Sequence, residues 1–247
     1  MGMKEGVEGV KILTLDSSSL SGSVSLCQGE TLVAESLLNI RSTHSEKLLK
    51  QVDHLLEETG WRLADLDLLA VVTGPGSFTG LRIGIATIKG IAQVLNKPVV
   101  PISALQAVAM NLPLSPIPIC AFLDARKSEV YTQLFEWHQT SGPVAIGDPA
   151  VLPPEQLLQK LSGPVALVGD GVFLYRQMIE DVLAAQALIP VAPVHQLCAA
   201  KASWLALQTY QSGLLQGAAE ILPTYIRPSD AELNLSKNKA VNVRVNC

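Results

Sequence analysis

The chain reads as an α/β protein of two related halves, each running β-β-β-α-β-α-β-α, and three observations predict it. First, residues 71–100 (VVTGPGSFTGLRIGIATIKGIAQVLNKPVV) pass from a β-branched apolar run through a glycine- and proline-rich turn into a helical stretch, then out to another apolar run. That is the order of a buried parallel strand, its crossover helix and the next strand. Second, 48% of the 247 residues are hydrophobic, only 16% are charged, and the mean hydropathy is +0.32, as suits strands buried between helical layers. Third, the element order recurs at an offset of about 108 residues, which sets Asp16 against Asp124.

The elements follow in order. Lys11 to Leu15 is a short strand ending in Asp16-Ser17-Ser18-Ser19, and Gly22–Gln28 and Thr31–Leu38 pair around the tight-turn signal Gly29-Glu30. Thr43, with Glu46 three residues on, has the spacing of a capping box. It opens a helix whose stripe is Leu48, Leu49, Val52, Leu55 and Leu56 and which stops at Gly60. Strand 68–73, helix 80–95 stopped by Asn96 with Pro98, strand 98–102 and a helix from Ser103 to Asn111 complete the first half, residues 1–111. The proline-rich LPLSPIP at 112–118 marks the junction. In the second half, residues 112–247, strands are expected at 117–123, 130–137 and 144–151. A helix from Pro153 to Leu161, a strand at 165–168 leading into Gly169-Asp170-Gly171, a helix at 173–186, a strand at 187–192 and a helix at 195–212 follow. A polar tail, 233–247, closes the chain.

The surface of helix 80–95 carries the most information. At 100° per residue, Leu81, Gly84, Ile85, Ile88, Ile91, Ala92 and Leu95 share one face, which packs on a sheet. Ile83, Ala86, Thr87, Gly90 and Val94 form a second apolar or small-residue face, and Arg82, Lys89 and Gln93 leave only a narrow polar stripe. A helix apolar nearly all round is covered on both sides. Either more of its own chain or a partner protein supplies the second cover, and the pair Ala86 and Gly90 would let another helix come close.

The composition excludes several classes. A net charge of −4 without a Lys/Arg cluster argues against nucleic-acid binding by this chain alone. Cys27, Cys120, Cys198 and Cys247 are scattered without a CxxC pair and suit reduced thiols. No apolar run nears the ~20 residues of a membrane span, and MGMKEGVEGV has no signal-peptide core, so the expected location is the cytoplasm with no membrane contact.

The glycine turn is no Walker loop, because no Lys-Ser/Thr follows its last glycine. It is a poor dinucleotide fingerprint, since Pro75 removes a donor and strand 98–102 ends without an acidic residue. Ser77 is expected as a helix cap. Asp16 and Asp124, each ending the first strand of a half, could hold a magnesium–phosphate group between them; equally, they are plain strand-end caps. His44, His54, His138 and His195 show no metal-ligand spacing.

Ile12–Ser18 (ILTLDSS), Thr43–Leu49 (THSEKLL) and, most specifically, Gly74–Gly84 (GPGSFTGLRIG) resemble the bacterial TsaB (YeaZ) family, with Pro223–Pro228 (PTYIRP) and Ala231-Glu232 similar to its C-terminal signature. The resemblance implies an actin/Hsp70-like (ASKHA, ribonuclease H-like) fold. It implies a non-catalytic role in making threonylcarbamoyladenosine on tRNA. The catalytic partner is the metal-containing TsaD paralog, a TsaE ATPase belongs to the same machinery, and tRNA is met only through the complex. The family pairs through helices corresponding to 44–59 and 80–95, so Leu48, Val52, Arg82, Ile83, Ala86, Thr87, Gly90 and Val94 are the expected partner-binding residues. A homodimer through the same helices stays open for the isolated chain. Where the paralog carries two metal-binding histidines, this chain has Ser103-Ala104-Leu105-Gln106-Ala107, so neither catalytic nor metal residues nor a cofactor are expected. Asp16, Ser17, Asp124, Gly169, Asp170 and Gly171 would outline a vestigial nucleotide cleft. The competing readings are an ATP-dependent phosphotransferase using Asp16 and Asp124 around magnesium and, least supported, a metalloprotease.

Overall fold

The computed structural model describes residues 9–40 and 44–227, with side chains of the first helix described from Lys47 on. The expected Thr43–Glu46 capping box, the Ala231-Glu232 match, the tail and Cys247 lie outside the described residues.

Two five-stranded sheets of the same topology form the molecule. In the first, β1 (Lys11–Asp16), β2 (Ser21–Gln28), β3 (Thr31–Asn39), β4 (Leu68–Gly74) and β5 (Val99–Ser103) lie in the order β3-β2-β1-β4-β5. β1 pairs antiparallel with β2 and parallel with β4. In the second, β6 (Ile119–Asp124), β7 (Val130–His138), β8 (Gly142–Leu152), β9 (Val165–Val168) and β10 (Ala187–Leu188) lie in the order β10-β9-β6-β7-β8. Asp16 and Asp124 thus end equivalent strands, and the actin/Hsp70-like pair of halves is present.

Alternation along β1 and β4 sends side chains to both faces of the first sheet. Leu13, Leu15, Leu69 and Val71 meet helices α1 (His44–Thr59) and α2 (Phe78–Leu95) on one side. Ile12, Leu68, Ala70 and Val72 meet the C-terminal helix of 199–211 on the other. Each Leu or Ile removed from water here contributes about 1.5–3 kcal/mol. Helix α3 (Ala104–Ala109) is shared. Ala104 and Ala107 touch the first sheet, while Leu105, Val108 and Ala109 pack on the second with Ile119, Ala121 and Phe135. The remaining helices are α4 (Pro154–Leu158), α5 (Gly171–Leu174), α6 (Arg176–Leu183) and α7 (Ala199–Gln211). The first three cover the outer face of the second sheet.

The differences from expectation lie in the second half. The helix expected at 173–186 breaks at Tyr175 into α5 and α6. Strand 187–192 shrinks to two residues, because Pro190 and Pro193 cannot donate to a ladder. The last helix starts only at Ala199 and packs across the first sheet rather than its own. Small residues allow that approach, and hydroxyls line it. Ser203 Oγ donates to Thr14 Oγ1 at 2.7 Å and pairs with Ser25 Oγ at 2.8 Å, which explains why the serine-rich β2 is buried. α2 ends as expected, with Asn96 left-handed at φ 52°. By length and composition alone α2 is apolar enough to cross a membrane, but its Leu81, Ile85 and Ile88 are core residues of the first sheet.

Candidate functional site

The glycine turn is built for backbone contact. Ser77 caps α2, accepting from Gly80 N at 3.3 Å, and its own N–H donates to Ser18 O at 2.7 Å. Ser17 Oγ donates to Gly80 O at 2.8 Å. A Cβ on Gly76 or Gly80 would fall well inside contact distance of the Ser18 or Ser17 carbonyl, and one on Gly84 would lie 2.5 Å from Ser17 Oγ. Three glycines at a spacing of four therefore form a groove along α2 into which the loop after β1 presses. Ser77 N and Gly80 N are engaged within this contact, which seals the end of β1 beneath it, while Ser18, Ser19, Ser77 and Phe78 still line the cleft.

Asp16 sits behind that seal, fully buried. Its Oδ1 accepts from Ser18 N at 2.9 Å and its Oδ2 has no partner. Burial pushes its pKa up to about 6 against the hydrogen bonds from Ser18, and the charge of Asp170 adds a little. Asp124, in contrast, lines the cleft of about 320 Å³ between the halves, with Asp170. Its carboxylate is held by Arg126, through the backbone N–H at 2.8 Å and Nη1 at 3.1 Å. Asp170 accepts from Asp124 N at 3.0 Å, and burial raises its pKa. Of the six expected cleft residues, the structure therefore brings Asp124 and Asp170 to the cavity but turns Asp16 and Ser17 into its packing. Gly169 and Gly171 are explained by packing too. Gly169 has φ 128°, and a Cβ there would stand 2.5 Å from Phe122 O; one on Gly171 would meet the Phe122 ring and carbonyl at 2.9 Å. Among the described residues no three of His, Cys, Asp and Glu converge as a metal site requires.

Sequence reasoning missed His195, which is buried at the cleft. Its Nδ1 accepts from Gly169 N at 3.2 Å and its Nε2 faces Pro190 O at 3.0 Å; both bonds form together only on the neutral ring protonated at Nε2. It also missed residues 216–227, which lie along α2. Nothing in their periodicity announces it.

Among the described residues, none covers the second face of α2. Ala86 and Gly90 are exposed, Ile83 and Thr87 are half-buried, and Val94 is 84% exposed. A Cβ at Gly90 would meet nothing within 4 Å. Arg82 is exposed and its Nε donates to the Tyr225 hydroxyl at 3.1 Å. Leu48 and Val52 correct the expected surface. They are 1% and 2% exposed, in the core with Leu55 and Leu56, because the i, i+4 stripe of α1 faces the sheet. Leu49, 100° further round, points outward at 48% exposure.

A protein of Bacillus subtilis named "tRNA threonylcarbamoyladenosine biosynthesis protein TsaB" is 30% identical over 226 residues, spanning 90% of this chain and 96% of its own length. The chain belongs to the TsaB (YeaZ) family. The family model described as "TsaD: tRNA N6-adenosine threonylcarbamoyltransferase" matches residues 32–234. Among solved structures, YeaZ from Pseudomonas aeruginosa superposes with a TM-score of 0.77 at 29% identity, covering 87% of this chain and 99% of that one. Component A of the (R)-2-hydroxyglutaryl-CoA dehydratase of Acidaminococcus fermentans, 13% identical, reaches a TM-score of 0.50 over 86% of this chain and 100% of that one, which speaks for the fold alone.

Proposed function

We propose that this TsaB-family chain serves the threonylcarbamoyladenosine modification of tRNA as a non-catalytic subunit. It binds and activates a TsaD-type transferase that holds the metal and performs the transfer. The observation that carries this reading is the outer face of α2. Ala86, Gly90 and Val94, flanked by Ile83 and Thr87, present small and apolar groups to solvent. Small residues four apart let a second helix backbone approach closely, and a stable pair there would bury at least ~1,000 Å². Asp16, buried at the end of β1 and absent from the cleft lining, supports a subunit without its own phosphoryl chemistry. In this reading residues 1–111 carry the docking helices and residues 112–247 the second half. tRNA and a TsaE-type ATPase are met only through the complex in the cytoplasm, and the chain alone pairs with a second copy through the same face.

The test combines this chain with a purified TsaD-type transferase. Co-elution, together with tRNA modification that requires both proteins, is the expected result. Tight binding of magnesium-ATP by the isolated chain, abolished by Asp16→Ala, would instead favour an independent phosphotransferase.

A further inference from the structure

Residues 216–227 run back along the whole of α2 and then cross to the other half. Gln216 pairs with Val99 through both backbone groups, at 3.1 and 3.4 Å. Lys89 Nζ donates to the carbonyls of Ala219 and Ile221, each at 3.2 Å, and Ile221 is buried in the first-half core. Thr224 N donates to Thr73 O at 2.8 Å, and the Tyr225 ring lies 4.7 Å from that of Phe78. Two residues later the segment is on the second half. Ile226 packs with its core, and Arg227 binds Glu129 Oε2 at 2.7 Å and donates to Ala125 O at 2.9 Å.

The crossing is at the mouth of the cleft, which Arg227 lines together with Ser77 and Phe78 from one half and Asp124 and Arg126 from the other. The groups that Arg227 holds flank an unusual loop. Arg126, Lys127 and Ser128 have φ of 61°, 54° and 57°, three consecutive non-glycine residues in the left-handed region. Such backbone persists only where its surroundings hold it. Arg227 grips the loop on both sides of the run, at Ala125 and Glu129.

The geometry points to a latch. The segment 216–227 fixes the two halves at one opening, and Arg227 is its catch. With the catch closed, the left-handed loop is pinned and the cleft mouth is held. With it open, the loop relaxes, the cleft widens, and the first turn of α2, which Tyr225 covers, is freed. This couples the state of the cleft to the helix that bears the exposed face, and it holds whether or not that face docks a partner.

The test is hydrogen exchange on the full chain, comparing wild type with Arg227→Gln and Glu129→Gln. Charge-assisted bonds of this kind are among the stronger ones, and opening free energies of local units are what exchange reads. A latch predicts that each variant speeds exchange at least about tenfold in two separated stretches, 124–130 and 76–82, while β1 and β4 keep their protection. Faster exchange in 225–227 alone would reduce Arg227 to a local surface contact. An even rise across both sheets would make it an ordinary stability residue. Either result, or no change, overturns the latch.

Discussion

Adding one methyl group at two positions of α2 should move stability in opposite directions. A Cβ on Gly80 has no room, because the obstacle is the Ser17 carbonyl, a backbone atom that cannot swing aside, and the same residue's carbonyl accepts from Ser17 Oγ. Overpacking of this kind costs about 1–3 kcal/mol, and a clash with backbone lies at the upper end. Against it stands the gain of about 0.8–1 kcal/mol for replacing a helical glycine with alanine. The net for Gly80→Ala is a loss of about 1–2 kcal/mol. At Gly90 the Cβ meets nothing within 4 Å, so only the propensity gain of about 0.8–1 kcal/mol operates. For a chain of this size each kcal/mol moves the melting temperature by about 2–4 °C. Thermal unfolding followed by circular dichroism should show Gly80→Ala melting below and Gly90→Ala above the wild type. Equal shifts of the same sign would refute the claim that the glycines of α2 divide into a packed set and an open one.

Asp16 should give stability a pH slope. Its folded pKa of about 6 lies above the ordinary 3.8, so the folded chain holds this proton more tightly than the unfolded chain. The contribution is complete below pH 4 and is lost as pH rises through 6, a difference on the order of 3 kcal/mol as an upper figure. Urea titrations of Asp16→Asn should flatten the slope between pH 4 and 6; a slope equal to wild type would contradict it. Leu48→Ala should destabilise by about 2–5 kcal/mol, whereas its neighbour Leu49→Ala should stay within about 0.5 kcal/mol, both read by the same unfolding experiment.

What could be read from the sequence was local. Ser77 as a cap, Asn96 as a stop and the inward face of α2 each depend on spacing within one element, and the structure places them as expected. Leu48 and Val52 were misplaced because a stripe on α1 does not say whether the sheet or a partner lies beneath it. The second half was less legible for the same reason. Pro190 and Pro193 shorten a strand whose apolar residues suggest a longer one, and α7 crosses to the first sheet through hydroxyl contacts such as Ser203 with Thr14, 189 residues apart. The placement of residues 216–227 along α2 was invisible. Their bonds join residues such as Arg82 and Tyr225, 143 positions apart, and PTYIRP has no period to betray them. Glycines gave the most ambiguous signal. At 76, 80, 169 and 171 the residue type suits phosphate loops and close backbone packing alike, and only the neighbouring carbonyls decide for packing.

Docking through the open side of α2 can be measured as the dissociation constant of this chain for a TsaD-type transferase. Gly90 is exposed and a Cβ there meets nothing within 4 Å, so a Gly90→Trp variant should fold normally. It should weaken binding by about 100-fold or more, as loss of a central contact in an interface does. A folded Gly90→Trp variant that binds as tightly as wild type would rule out docking through this face.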